Sequence, residues 1–246
     1  RYREFRARAS RARLEARERG DRFTQLFLNA RLLLLLACMD DTPSEGAESA
    51  SELLREWGAG ADEIQVHHCV GLADVDCYEG RCDGALDRFE ARLRRVRTFT
   101  TTMIQRLRID LAATRGMLAV AQARVSPERR GKLLSIALAS ARRLEREREL
   151  TATAPAHLVR AAVASVKGQE DIAIRHLEAA VEVYEQAEMR GRAIVARRRL
   201  GQLLGGRRGA EMVEQSDAWL RNEGIRRPDR FARMMAPGFP DDTPAV

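Results

Sequence analysis

A chain of 246 residues with 45% hydrophobic and 32% charged residues can bury a sizeable core, which excludes a disordered tail and a small scaffold dependent on disulfide staples. Aromatic residues make up only 5%, which argues against an aromatic-rich β-sandwich and for a helical globular chain. The net charge of +7 invites a nucleic-acid partner, but nearly all the cations are arginines interleaved with acids, as in Arg142-Arg143-Leu144-Glu145-Arg146-Glu147, the pattern of solvated helix faces.

Taken in chain order, apolar periodicity predicts a first helix over Arg1–Arg19, stopped by Gly20-Asp21, and a second over Phe23–Asp40. The Leu32–Leu36 run lies in the second, but Gln25, Asn29 and Arg31 interrupt it, so no membrane span is expected. Ser44 is the expected cap of a third helix reaching Trp57. Asp62–Glu79 and Asp83 to about Arg97 form an antiparallel hairpin, and Thr98–Arg124 with Glu128–Leu150 a second. Thr151–Pro155 is the expected break before a third pair, Ala156–Lys167 and Glu170–Glu188. Gly191–Leu204 and Ala210–Asn222 make a fourth pair around a flexible Gly205–Gly209 turn, and Pro228–Met235 a short closing helix. Beginning at Arg1, inside a helical pattern, the chain reads as a piece of a longer protein.

The hairpins share a spacing. Ala161, Ala164, Gly168, Ala173, Leu177 and Ala180 recur with the same intervals as Ala73, Asp76, Gly80, Ala85, Phe89 and Arg92. Small residues let paired helices approach, glycine permits the turn, and one bulky residue plugs the gap. This is the tetratricopeptide pattern, and Leu200-Gly201 with Leu204 repeats its first half. The expected fold is therefore all-α, an α-solenoid of stacked antiparallel hairpins. Residues 1–21 would be the end helix of a truncated preceding repeat, 22–224 the repeat domain of about five hairpins, and 225–246 a capping helix and tail.

Glu18-Arg19-Gly20-Asp21, the His67-His68 start of a segment closing in Cys77-Tyr78-Glu79-Gly80, and a C-terminal string occur here together. That string runs from Arg199-Leu200-Gly201-Gln202 through Asp217-Ala218-Trp219-Leu220 and Arg226-Arg227-Pro228-Asp229-Arg230 to Ala236-Pro237-Gly238-Phe239. With these residues the chain resembles the C-terminal tetratricopeptide region of large bacterial serine/threonine protein kinases of the myxobacterial type. The likeness runs from about Arg17 onward and is loose between Arg81 and Ala152; at Thr98–Thr102 it departs, with threonines where a Ser-Leu-Leu type helix start belongs. It implies an upstream kinase domain and a sensor or docking role for this region. ATP and Mg would belong to that upstream domain alone, since this chain has no glycine-rich loop, H-R-D or D-F-G motif.

Chemistry-bearing residues are sparse. His67, His68, Cys69, Cys77 and Cys82 lie close in sequence, but Cys69 and Cys77 point roughly 80° apart on a helix and two turns apart in height, so no metal is expected and the cysteines read as small buried residues. Without a CxxC pair or leader, the four cysteines read as reduced, in a cytoplasmic protein. Gly205-Gly206-Arg207-Arg208-Gly209 lacks the strand and Lys-Ser/Thr of a phosphate loop. Thr98, Thr100, Thr101 and Thr102 read as helix-start residues before phosphorylation sites, and Trp57 and Trp219 as packing at hairpin ends. His157 and His176 stand isolated, and no catalytic set emerges.

What remains is a concave groove holding a protein or peptide partner, lined by His67, Asp74, Tyr78, Leu158, Ser165, Arg198 and Gln202, with the chain's own upstream kinase domain as a second partner. The alternative is the helical arm of a transcription regulator, whose basic first helix, with Arg3, Arg6, Arg11 and Arg13, lies near DNA.

Overall fold

The computed structural model describes residues 2–56, 62–96 and 104–240, and among them the chain is all-α, with no strand. The helices are α1 (Tyr2–Glu18), α2 (Arg22–Met39), α3 (Pro43–Glu56), α4 (Asp62–Tyr78), α5 (Ala85–Leu93), α6 (Gln105–Val125), α7 (Arg130–Arg146), α8 (Leu150–Val166), α9 (Glu170–Gln186), α10 (Arg190–Leu204), α11 (Gly206–Asn222) and α12 (Pro228–Met235). Local chemistry explains many boundaries. Asp21 caps α2, its carboxylate accepting from the Thr24 amide at 3.0 Å and the Thr24 hydroxyl at 2.7 Å. Gly80 turns the chain after α4 with φ +76°, a conformation that costs a glycine little. Gly84 precedes α5 and offers no side-chain cap, so Gln122 of α6 substitutes: its Oε1 accepts from the Leu86 amide at 3.1 Å, while its Nε2 donates to Asp87 at 2.9 Å.

Four sequence expectations are corrected. Pro43, pre-set at a helical φ, opens α3, and the Ser44 hydroxyl donates to Glu79 at 2.8 Å instead of capping. The break after α7 falls at Arg148, whose φ is +54°, so α8 begins at Leu150 and carries Pro155 inside it. Proline there forfeits one backbone bond, which the surrounding burial of Ala152, Ala154, Pro155 and Ala156 outweighs. The helix expected from Asp83 to Arg97 is only α5, nine residues long. Finally, the glycine-rich stretch is not a loop: Gly205 and Gly206, both at positive φ, make the turn, and α11 begins at Gly206. Trp57 and Thr98–Thr102 lie outside the described residues.

Packing proceeds between neighbours. The helices α6 and α7, α8 and α9, and α10 and α11 pack as pairs; α7 also meets α8, α9 meets α10, and α6 meets α8. The other centre of contact is α4, which touches α2, α3, α5, α6 and α12. In the pair α8 and α9, Ala161, Ala164, Ala173, Leu177 and Ala180 are all buried, as their shared spacing requires. In α4 and α5 the matching Ala73, Ala85 and Phe89 are buried too, but the positions held by Ala164 and Ala180 are taken by Asp76 and Arg92. These two pair at 3.1 Å, and the buried Asp76 carboxylate also accepts from Arg81 at 3.0 Å and Arg88 at 3.1 Å. An ionic contact thus fills the place of two methyl groups.

The two ends of the fold meet. Tyr2 of α1 sets its ring edge-on to Trp219 of α11 and Phe231 of α12, and the Arg3 amide donates to Glu223 at 3.0 Å. Loss of solvation in that pocket pushes the Tyr2 phenol up to about 12. The C-terminal segment closes the other side. Arg233 donates to the Cys77 carbonyl at 3.0 Å and the Tyr78 carbonyl at 2.6 Å, capping the C-terminus of α4, where a cation is favoured by the helix dipole. The Arg226 amide donates to the Met39 carbonyl at 3.0 Å at the end of α2. On length and composition alone, α2, with a mean hydropathy of 1.3, could cross a membrane. Here it packs on α1, α3 and α4, and its Arg31 pairs with Asp110 at 2.9 Å.

Candidate functional site

The site is built where α2, α4, α6, α8, α9, α10 and α12 converge. Their facing residues line a partly open cavity in which the centre of a water molecule has about 60 Å³ to move, room for a small molecule of a few heavy atoms. Its apolar half comes from Met117, Leu118, Leu158, Met189, Met234 and Met235. Methionine is flexible and polarisable, so such a wall adapts to different shapes.

The polar half is an ion cluster. Arg31 reaches from α2 to Asp110 at 2.9 Å and, more loosely, to Asp74 at 3.7 Å; Arg106 donates to Asp110 at 3.3 Å from the rim. Arg192 of α10 adds a third guanidinium, so three cations face two carboxylates and the lining carries one net positive charge. Burial raises the Asp74 carboxyl above its usual range, against the pull of Arg31 and Arg192. Tyr184 is fully buried, and its hydroxyl makes no hydrogen bond of ordinary geometry. Burial also raises the phenol, with Arg192 opposing the shift. The Cys77 thiol is pushed well up by burial and stays protonated, which makes it a poor nucleophile.

Of the seven residues expected to line a groove, Asp74 and Leu158 meet at this cavity. The others sit elsewhere. His67 is half-buried, edge-on to Phe27 of α2 and 4.0 Å from Glu63. Tyr78 is buried, donating to Asp41 at 2.8 Å, and Arg198 is buried against Asp217 with its Nε at 2.6 Å. Gln202 accepts from Arg199 at 2.8 Å, and Ser165 lies half-buried at the end of α8. The cavity residues that sequence reasoning missed, Arg31, Asp110 and Arg192, left a trace in the first two. Arg31 is the only charge between Phe23 and Met39, and a lone charge in an apolar stretch has to find a buried partner. Asp110 stands between Ile109 and Leu111, a carboxylate on an apolar face.

The basic first helix is partly engaged within the fold: Arg6 pairs with Asp40 at 2.8 Å, and Arg19 with Glu15 at 3.0 Å. The three cysteines Cys38, Cys69 and Cys77 are buried, and no group of three or more candidate metal ligands occurs among the described residues. Trp219 packs against Tyr2 and beneath the Arg190 guanidinium.

His157 and His176, isolated in sequence, are neighbours in space. Their Nδ1 atoms lie 3.1 Å apart across the pair α8 and α9, so one ring donates while the other must stay unprotonated to accept. Burial lowers both histidines; Arg160 lowers both further, Arg175 lowers His176, and Glu145 opposes the shifts. Burial lowers His67 and His68 as well. With folded pKa values below the unfolded one, the unfolded chain takes up protons first, and stability is lost as pH falls through about 6.5. Thermal melts at pH 7.5 and 5.0 are expected to show this loss, smaller in the double variant His157→Gln, His176→Gln. An equal loss in the double variant would place the acid sensitivity elsewhere.

Comparison with protein-family models, with curated proteins and with solved structures finds no match for this chain. Among the described residues the chain is an all-α assembly of packed helix pairs beside a partly open, charged cavity.

Proposed function

We propose that the chain is a non-catalytic sensor and protein-docking module, an array of tetratricopeptide-like hairpins forming the C-terminal arm of a bacterial serine/threonine protein kinase. The observation that carries the reading is the spacing shared by the α8 and α9 pair and the α4 and α5 pair: Ala161, Ala173 and Leu177 in one and Ala73, Ala85 and Phe89 in the other are buried, while Asp76 and Arg92 replace two small residues by an ion pair. Hairpins of this kind bury their apolar faces only against neighbours, and their stacked surfaces suit binding more than chemistry. The kinase link rests on the C-terminal string. Arg199, Arg226, Arg230, Arg233 and Phe239 within that string bind it to α2, α4 and α10, which supports its use as a marker of this architecture. The upstream kinase domain and a protein or peptide segment are the partners of this reading.

The coding sequence upstream of Arg1 tests it. A catalytic domain with a glycine-rich loop, an H-R-D loop and a D-F-G metal site is the expected finding. A DNA-binding domain there, or a start codon directly before Arg1, would overturn the kinase reading.

A further inference from the structure

We propose that the central cavity binds a small organic monocarboxylate with a short apolar tail, its carboxylate held by Arg192 and the Tyr184 hydroxyl and its tail among Met189, Met234, Met235 and Leu158. The proposal gives the sensor reading a ligand class, and the two fail separately: the upstream coding sequence decides one, direct binding the other.

Three observations converge on it. The lining holds three guanidinium groups against two carboxylates; Asp110 takes bonds from Arg31 and Arg106, and Asp74 has the long contact with Arg31. Arg106 is half exposed at the rim, so the cation inside that lacks a close carboxylate is Arg192, which makes no ion pair within 4 Å among the described residues and feels Asp74 and Asp110 only at longer range. Next, the fully buried Tyr184 hydroxyl makes no hydrogen bond of ordinary geometry; its polar neighbour Arg192 is itself only a donor, so the hydroxyl proton has no acceptor, which is costly. A carboxylate oxygen would accept from both the hydroxyl and the guanidinium, the strong charge-assisted arrangement. Finally, apart from the Thr114 and Thr151 hydroxyls and the Cys77 thiol, the rest of the wall is apolar and rich in methionine, in a space of about 60 Å³, which suits a tail of a few carbons and offers a second negative charge no further cation.

Alternative chemistries are separated by this lining. A dianionic phosphate would bring two charges to the one guanidinium without a close carboxylate and strand its remaining oxygens against methionine. A small cation would have to seat beside Asp74, which already faces Arg31 and Arg192.

Isothermal titration calorimetry on the full chain, at constant ionic strength, tests the proposal with sodium butyrate as probe and sodium phosphate and n-butylammonium chloride as comparators. The expected result is saturable binding of one butyrate per chain, at least about tenfold weaker in Arg192→Gln and weakened severalfold in Tyr184→Phe. Tyr184→Phe removes one oxygen and keeps the packing, so it remains informative if Arg192→Gln fails to fold. No saturable butyrate binding would overturn the proposal. So would unchanged affinity in the Tyr184→Phe variant, or preferential binding of phosphate or butylammonium.

Discussion

Arg199→Ala is expected to destabilise the fold by about 2–4 kcal/mol, from buried acceptors left without a donor and the cavity left by a fully buried side chain. Only 1% of Arg199 is exposed. Its Nε donates to the Ala236 carbonyl at 3.1 Å, and one terminal nitrogen donates to Gln202 at 2.8 Å and to the Pro240 carbonyl at 3.2 Å. Its guanidinium also lies 5.7 Å over the Phe239 ring. One side chain thus supplies donors to backbone groups that no helix serves and clasps the C-terminal segment to α10. Alanine would leave those carbonyls without donors and open a void the size of a guanidinium and its stem. Urea unfolding would read the loss of stability, and amide exchange should become fastest over Ala236–Phe239. Arg199→Lys keeps the charge without the planar fork and is expected to fall between the two. Wild-type stability in Arg199→Ala would show that the clasp holds nothing.

The second large effect is expected at Gly209. A methyl group placed there would lie 2.3 Å from the Gly201 carbonyl oxygen, and one placed on Gly201 would lie 2.7 Å from the Gly209 carbonyl oxygen. Helices α10 and α11 therefore touch backbone to backbone, and no rotamer change relieves an added side chain. Gly209→Ala should cost about 3 kcal/mol, at the upper end for overpacking, by prying the pair apart. Gly131→Ala is the control: nothing lies within 4 Å of an added methyl group in α7, and alanine there should be neutral or stabilising by about 0.5–1 kcal/mol. Equal thermal shifts in the two variants would contradict a backbone contact at Gly201 and Gly209.

Arg199 and Gly209 also mark where sequence reasoning stops. Gly209 lies in a run whose composition reads as a loop, because glycine's usual effect is local and entropic. Its actual use here is steric and nonlocal, decided by a helix several residues away. Arg199 stands in a basic run, Arg197-Arg198-Arg199, that reads as solvated surface. Of the three, Arg198 and Arg199 are buried, one against Asp217 and the other under the C-terminal segment. Helical periodicity places them on a helix but carries no record of which chain segment returns to cover it. The histidines teach the same lesson: His157 and His176 lie nineteen positions apart, and only the turn between α8 and α9 brings their rings together.

The sequence by itself determined the helical class and most helix bounds, since periodic apolar residues, Asp21, Gly80 and Pro228 act within a few residues of chain. It also determined the small-residue register of α8 with α9, because adjacent helices joined by a short turn have one way to bury their faces. Only the tertiary structure decided the cavity. Arg31, Asp74, Asp110, Tyr184 and Arg192 come from five different helices, and they meet only through the packing of α2, α4, α6, α9 and α10. Charges separated by tens of residues along the chain interact only once packing has removed the water between them.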